Sequence, residues 1–325
     1  MKRITHILLI IALCLTVTAC TGDSQAQAAP TDFPSKNITL ICPFSPGGGT
    51  DALTRKIATI VEAQTGAKII VENKVGGSGA TAFSEGAIAK PDGYTITIST
   101  VEIGLLPMAG MTSYKVSDYR GVMRMNYDAT ALVARGNAPY STLEEFTAHA
   151  KENPGKIIVY YGSFPAPGWL AQKMLVTETG VDINAVSGGT GGAAAQIQNL
   201  LGGHIDATFI TPAECAAYLE TGEIKVLAVA SDQRVPAFPE YPTFKELGYD
   251  VVCGTWRGVS VPKGTPDEVV KVLEKMFTDA YESDEFQEFL KNMKFGPAYL
   301  NTADFDAQIQ REVEEFTPIV DKFLK

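Results

Sequence analysis

Twice along this chain, short β-branched runs alternate with amphipathic helical segments, and that alternation admits few architectures. The first round reads as a strand over 37–44, a helix over 51–64, a strand over 68–73, a helix over 80–90 and a strand over 94–100. Leu53, Ile57, Ile60 and Val61 mark one face of the first helix, and Gly66 sits just past its end. Pro91-Asp92-Gly93 stops the second helix. Such a βαβαβ order predicts a parallel sheet with helices on both faces. The second round opens with a strand over 129–134. A capping box at Ser141-Thr142-Leu143-Glu144 then starts a helix to about 153. Strands over 157–162, 182–186, 205–210 and 224–230 follow, separated by helices over 168–179, 191–201 and 213–220. The tail is helical. Thr265 reads as an N-cap with Pro266 at the first helical position, Ser283 begins another helix, and 303–325 forms a last long one.

Two α/β units and a helical tail imply two lobes. The tail has too few strands for a lobe of its own, so it packs back on the first. Lobe one is then 32–128 with 253–325, and lobe two is 129–252. The chain crosses between them near 123–131 and 252–259, and two crossing strands make a hinge.

The first residues set the compartment. Lys2 and Arg3 precede an apolar run over 7–18, too short to span a bilayer, and Ala19-Cys20 follows. Residues 1–19 read as an export signal. Val17-Thr18-Ala19-Cys20 resembles a lipobox, which makes Cys20 a lipidated first residue; the alternative is an ordinary signal cut beside an incidental Cys20. Residues 20–31 then form a flexible tether on the membrane. The chain carries a net charge of −10, which argues against nucleic acid as a partner and against drawing in an anion by whole-surface attraction. Any anion site must use local dipoles or one well-placed cation. Cys42, Cys215 and Cys253 sit among apolar or small residues and read as buried thiols.

The sharpest motif is Pro43-Phe44-Ser45-Pro46-Gly47-Gly48-Gly49-Thr50-Asp51, directly between a strand and a helix. A helix start at the carboxyl end of a strand offers unpaired N–H groups and partial positive charge, and glycines admit a ligand close to the backbone. The loop is an anion seat that needs no Lys or Arg. Asp51 would repel an anion if aimed at it, so it either braces the loop by hydrogen bonds or meets a ligand ammonium. The second unit repeats the arrangement at Gly162-Ser163-Phe164-Pro165-Ala166-Pro167-Gly168-Trp169 and at Ser187-Gly188-Gly189-Thr190-Gly191-Gly192-Ala193. A tight turn is the plain reading of any one such loop; three on two lobes favour a ligand clamped between them. Asn73-Lys74-Val75-Gly76-Gly77-Ser78-Gly79 adds a fourth rim, with Lys74 the nearest cation.

Rival chemistries are weaker. Gly47 to Ala52 fits the dinucleotide expression G-x-G-x-x-A, with Glu72 at the end of the next strand as a ribose partner. That would make the protein an oxidoreductase, and the export signal counts against it. His149 and His204 have no neighbours at metal-ligand spacing, so neither a metal nor another cofactor is expected. No nucleophile elbow is present, and no catalytic residue is assigned.

Several ordered blocks resemble the substrate-binding receptors of the tripartite tricarboxylate transporter system, the Bug receptors. They include Phe33-Pro34-Ser35-Lys36, the loop over 43–51, Val71-Glu72-Asn73-Lys74, Lys90-Pro91-Asp92-Gly93-Tyr94-Thr95, Leu200-Leu201-Gly202-Gly203-His204-Ile205-Asp206 and Tyr241-Pro242-Thr243-Phe244-Lys245-Glu246-Leu247-Gly248. The resemblance implies an α/β, two-lobed periplasmic-binding-protein fold of the Venus-flytrap, type II-like kind. It implies a monomeric extracytoplasmic receptor for a small organic acid, working with integral membrane transporter subunits; a receptor serving a signalling partner is the alternative. Carried onto this chain, its ligand residues are Phe44, Ser45, Gly48, Gly49, Thr50 and Asp51, with Ser78 and Thr100 on the same rim. In lobe two they are Ser163, Gly189 and Thr190, and Gly191, Phe164 and Trp169 join them as candidates, the last two where this chain departs from the family's pattern. Where the family has Tyr-Lys-Gly-Gly, this chain has Val186-Ser187-Gly188-Gly189. The missing Lys, with Phe164 and Trp169, implies a ligand less charged than citrate, although Trp169 reads equally well as core.

Overall fold

The run Ile38-Thr39-Leu40-Ile41-Cys42 is buried at every position but Thr39, as a strand covered on both faces must be. The structure, a computed structural model, describes residues 33–188 and 192–324. The segments expected to be the export signal and the tether, with Cys20, lie outside the described residues.

The first unit runs β1 (Ile38–Cys42), α1 (Gly49–Thr65), β2 (Ile69–Asn73), α2 (Ala80–Ala87), β3 (Thr95–Ser99), α3 (Glu102–Met108) and β4 (Tyr119–Ala129). The second runs β5 (Ala131–Arg135), α4 (Leu143–Glu152), β6 (Ile158–Tyr160), α5 (Pro167–Thr179), β7 (Asn184–Val186), α6 (Gly192–Leu201), β8 (Ala207–Ile210), α7 (Pro212–Glu220) and β9 (Ile224–Val229). The chain closes with β10 (Gly254–Pro262), α8 (Asp267–Glu282), α9 (Asp284–Asn292), β11 (Pro297–Leu300) and α10 (Thr302–Leu324).

Two sheets result, in the orders β11-β4-β10-β3-β1-β2 and β7-β6-β8-β5-β9. β1 lies parallel between β2 and β3, and β6 lies parallel between β7 and β8. The other pairings are antiparallel. The carboxyl ends of β1, β6 and β7 are therefore where α1, α5 and α6 begin, which is where open α/β sheets bind ligands. The sheets are joined where Thr130 links β4 to β5 and Cys253 precedes β10. There Thr130 N–H donates to Cys253 O (3.0 Å), Ala230 N–H to Thr130 O (2.7 Å) and Cys253 N–H to Ala230 O (3.0 Å).

Several elements differ from the sequence expectation, each for a local reason. α1 starts at Gly49, inside the glycine run, because Gly48 already holds the extended N-cap conformation. The cap of α4 is Thr142, whose Oγ1 accepts from Glu145 N (3.1 Å) while Glu145 accepts from Ser141 N (2.6 Å), one residue along from the box expected. Thr265 does not cap α8. Its hydroxyl donates to Pro262 O (2.8 Å), and Pro266 precedes the helix. β11 and the full length of β4 were not legible. β11 is a four-residue edge strand that begins with Pro, and Arg124, Asn126 and Asp128 interrupt the apolar pattern of β4.

α10 locks the tail onto the first sheet. Phe305 is fully buried and lies over Gly121 of β4 and Gly258 of β10, where a Cβ would collide with its ring. It meets Trp256 edge to face at 5.1 Å. Trp256 and Arg257 are neighbours on β10, so they project to opposite faces. The indole points to α10, and the guanidinium is left for the other side. Phe305→Ala should cost about 3–5 kcal/mol in urea unfolding through the cavity it leaves. A loss below about 1 kcal/mol would show that the tail is not held there.

Candidate functional site

Between the sheets runs a cleft of about 800 Å³. Its first wall is the loop after β1. Gly47 adopts φ +84°, a conformation that favours glycine, and this turn delivers Gly48, Gly49 and Thr50 to the cleft. The N–H groups of Gly49, Thr50 and Asp51 occupy the first turn of α1, where no intrahelical acceptor exists.

Asp51 is turned away from the cleft and is only 4% exposed. Its Oδ2 accepts from Gly47 N (2.9 Å) and Arg55 Nε (3.0 Å), and its Oδ1 from Asn73 Nδ2 (2.8 Å). Asn73 Nδ2 also donates to Phe44 O (2.8 Å), which ties the loop to β2. Burial works to raise the Asp51 pKa, but the bonds from Arg55, Gly47 and Asn73 outweigh it and hold the carboxyl below its usual range. Of the two readings open in the sequence, this geometry is the brace.

The second wall on the same lobe is the run from Gly76 to Gly79, with φ values of +144°, +55°, +56° and +99°. Ser78 holds one of these left-handed conformations, and its hydroxyl donates across the cleft to Phe164 O (2.8 Å). Lys74, the cation expected nearest the site, is instead paired with Glu72 (3.2 Å) and Glu85 (3.3 Å) and does not line the cleft. The same contact occupies Glu72, the acid a dinucleotide site would require at the ribose.

The opposing wall comes from Tyr161, Gly162, Ser163, the start of α5 (Ala166 to Gly168), the start of α6 (Gly192 to Ala194) and the start of α7 (Thr211, Ala213, Glu214). Gly168 is obligatory because a Cβ there would meet Tyr161 O at 2.5 Å.

The structure brings Phe44, Ser45, Gly48, Gly49, Thr50, Ser78 and Ser163 to the cleft. Asp51, Thr100, Phe164 and Trp169 do not line it. Thr100 is fully buried and donates to Glu102 Oε2 (2.5 Å). Trp169 is 3% exposed and packs edge to face on Phe164 at 5.1 Å, so it is a core residue, drawn inward by its apolar area. Gly189, Thr190 and Gly191 lie outside the described residues.

The residue that sequence reasoning missed is Arg257. It lines the cleft yet is 5% exposed. Its Nη1 donates to Asp128 Oδ2 (2.7 Å), its Nε to Thr50 Oγ1 (3.0 Å), and its guanidinium lies 4.8 Å from the centre of the Phe295 ring. Asp128 accepts in addition from Asn126 Nδ2 (2.7 Å) and Gly296 N (2.8 Å). Burial pushes the Asp128 carboxyl up, against the pull of Arg257 and these two donors. The one signal in the sequence was an arginine alone in the otherwise uncharged strand Gly-Thr-Trp-Arg-Gly-Val-Ser-Val-Pro. Among the described residues lining the cleft, Arg257 is the only cation and Glu214 the only acid. The described residues hold no cluster of His, Cys, Asp and Glu fit for a metal.

Residues 53–324 match the model of the tripartite tricarboxylate transporter family receptor. The UPF0065 protein in gbd 5'region of Cupriavidus necator is 31% identical over 303 residues, which cover 91% of this chain and 90% of that protein. A TctC solute binding protein from Polaromonas is 36% identical in sequence, with a TM-score of 0.77 over 90% of this chain and 100% of its own. An R. palustris protein solved with adipate is 27% identical, with a TM-score of 0.79 over 89% of this chain and 98% of its own.

Asp51→Ala should lower unfolding free energy by about 2 kcal/mol at pH 7 by removing the brace. Because the folded pKa is depressed, that contribution is complete above the unfolded value of about 3.9 and is lost as the pH falls through the lower folded value. The gap between parent and variant in urea unfolding should therefore hold steady above about pH 4 and shrink progressively as the pH falls below the unfolded value of about 3.9. A difference that does not shrink on acidification would contradict an ionic brace.

Proposed function

The chain belongs to the tripartite tricarboxylate transporter family of receptors, and from that membership we propose that it captures a small organic carboxylate outside the cytoplasm and delivers it to transporter subunits in the membrane. The observation that carries the carboxylate is the lobe-one wall of the cleft. Free N–H groups at the start of α1 meet the cleft beside a buried guanidinium, while the nearest acid, Asp51, is consumed by four bonds that face away. Seated there, a carboxylate receives dipoles and charge from a partly enclosed site, where both act more strongly than in water. The adipate-bound relative supports the ligand class.

The proposal extends to the ends and the hinge. Cys20 carries the lipid anchor, and residues 21–31 form the leash that keeps the receptor near its transporter. Lobes of 32–128 with 253–325, and of 129–252, close on the ligand by bending at Thr130 and Cys253. Phe44, Ser45, Gly48, Gly49, Thr50, Ser78 and Ser163 then contact it, with Gly189, Thr190 and Gly191 completing the second lobe. Binding involves no covalent step. The apolar residues Ile197, Ile210, Ala213, Met293 and Phe295 line much of the remaining wall, which favours a ligand less charged than a tricarboxylate.

Calorimetry of the purified chain with mono-, di- and tricarboxylates should find a binder among the mono- and dicarboxylates. Silence across the whole panel would defeat the ligand class. Gly48→Val should weaken the best binder by roughly tenfold or more, a change of about 1.4 kcal/mol. The fold should tolerate it, because a Cβ at Gly48 meets only Ser45 O at an ordinary 3.5 Å. Undiminished affinity would move the seat elsewhere.

A further inference from the structure

We propose that Arg257 is the specificity-determining anchor of this site, its Nη2 edge donating to the ligand carboxylate held at the start of α1. The inference rests on the carboxylate reading above and goes beyond it, by assigning recognition of the ionised form to one side chain.

The guanidinium is held at three places. Nε is taken by Thr50, Nη1 by Asp128, and one face lies against Phe295. Nη2 has no hydrogen-bond partner among the described residues. It lies beside Gly49, where an added Cβ would stand 3.5 Å from it. Arg257 thus places an unpaired N–H edge, on a side chain that is only 6% exposed, next to the unpaired N–H groups of Gly49 and Thr50. A carboxylate is planar and takes two parallel N–H bonds from such an edge and its neighbours, whereas a neutral amide supplies only one acceptor oxygen.

The surroundings explain why this arginine serves selection and not attraction. The chain is acidic overall, so its long-range field repels anions. Asp128 balances the guanidinium at 2.7 Å, which leaves no large stray field for counter-ions to screen. What remains is a short-range, directional donor inside the cleft. Thr50 adds to this role, because the residue that offers a first-turn N–H also positions the guanidinium.

The competing role is purely architectural, with Arg257 only bridging β10, β4 and α1. The two roles separate on ligand chemistry. The purified full chain is titrated calorimetrically with benzoate, hexanoate, succinate, adipate, citrate and glutamate. The best binder is then compared with its primary amide, in the parent and in Arg257→Gln/Asp128→Asn, a neutral pair that leaves no charge buried alone. The acid should lose roughly ten- to a hundredfold in affinity, the range for a charged hydrogen bond, while the amide changes by less than about threefold. Acid and amide weakening together, or the acid unchanged, would overturn the proposal. If that pair does not fold, Arg257→Lys decides the matter. It keeps the charge and loses the fork, so the acid should still drop roughly tenfold against an unchanged amide, and an unchanged acid would overturn the proposal. Failure of every acid to bind the parent would instead defeat the carboxylate reading itself.

Discussion

One ion pair joins the parts on which this molecule depends. Arg257 and Asp128 stand on β10 and β4, the two strands that run into the junction between the lobes, and Thr50 brings α1 to the same guanidinium. A buried pair of this kind gives little net stability over an apolar substitute, because desolvation offsets most of the attraction. Its value lies in geometry. Two sheet strands, a helix start and the Gly296 N–H that Asp128 accepts are placed relative to each other by directional bonds of 2.7–3.0 Å. Removing either partner alone leaves a charge stranded in a site that is 6% exposed on both sides.

The glycine-rich wall depends on a different device. Glycines alone would leave the loop after β1 with many conformations, at a high entropic cost to order. Asp51 reduces that freedom from behind. It gathers Gly47, Arg55 and Asn73 into one hydrogen-bonded cluster, and Asn73 holds Phe44 O. The donors that face the cleft are consequently preorganised without a side chain standing in front of them. An acidic protein can present a positive microenvironment in this way while its surface charge stays negative.

Much of this was legible in the sequence, and the parts that were not share a cause. Period and punctuation gave β1, α1, β2 and β3, because apolar strands and amphipathic helices declare themselves locally. The anion seat was legible because a strand, a glycine run and a helix start are contiguous in the chain. Arg257 was not, since its meaning comes from Thr50 and Asp128, 207 and 129 residues away. Lys74 drew attention by proximity in sequence, yet Glu72 and Glu85 neutralise it on the outside. Trp169 showed the same limit, because an aromatic beside a binding loop looks identical in sequence whether it points into the cleft or into the core.

The bond from the Ser78 hydroxyl to Phe164 O joins the two lobes through a main-chain acceptor. A carbonyl oxygen is present whatever side chain follows it, so mutation at position 164 leaves the acceptor in place. The first-turn N–H groups of α1 have the same independence. Contacts written in backbone atoms free the neighbouring side chains to vary, and in this cleft those include Ile197, Ile210 and Met293. A receptor built like this is evolvable in a specific sense: the shape of its ligand can drift through neutral changes among the apolar lining residues while the grip made by backbone donors is inherited intact.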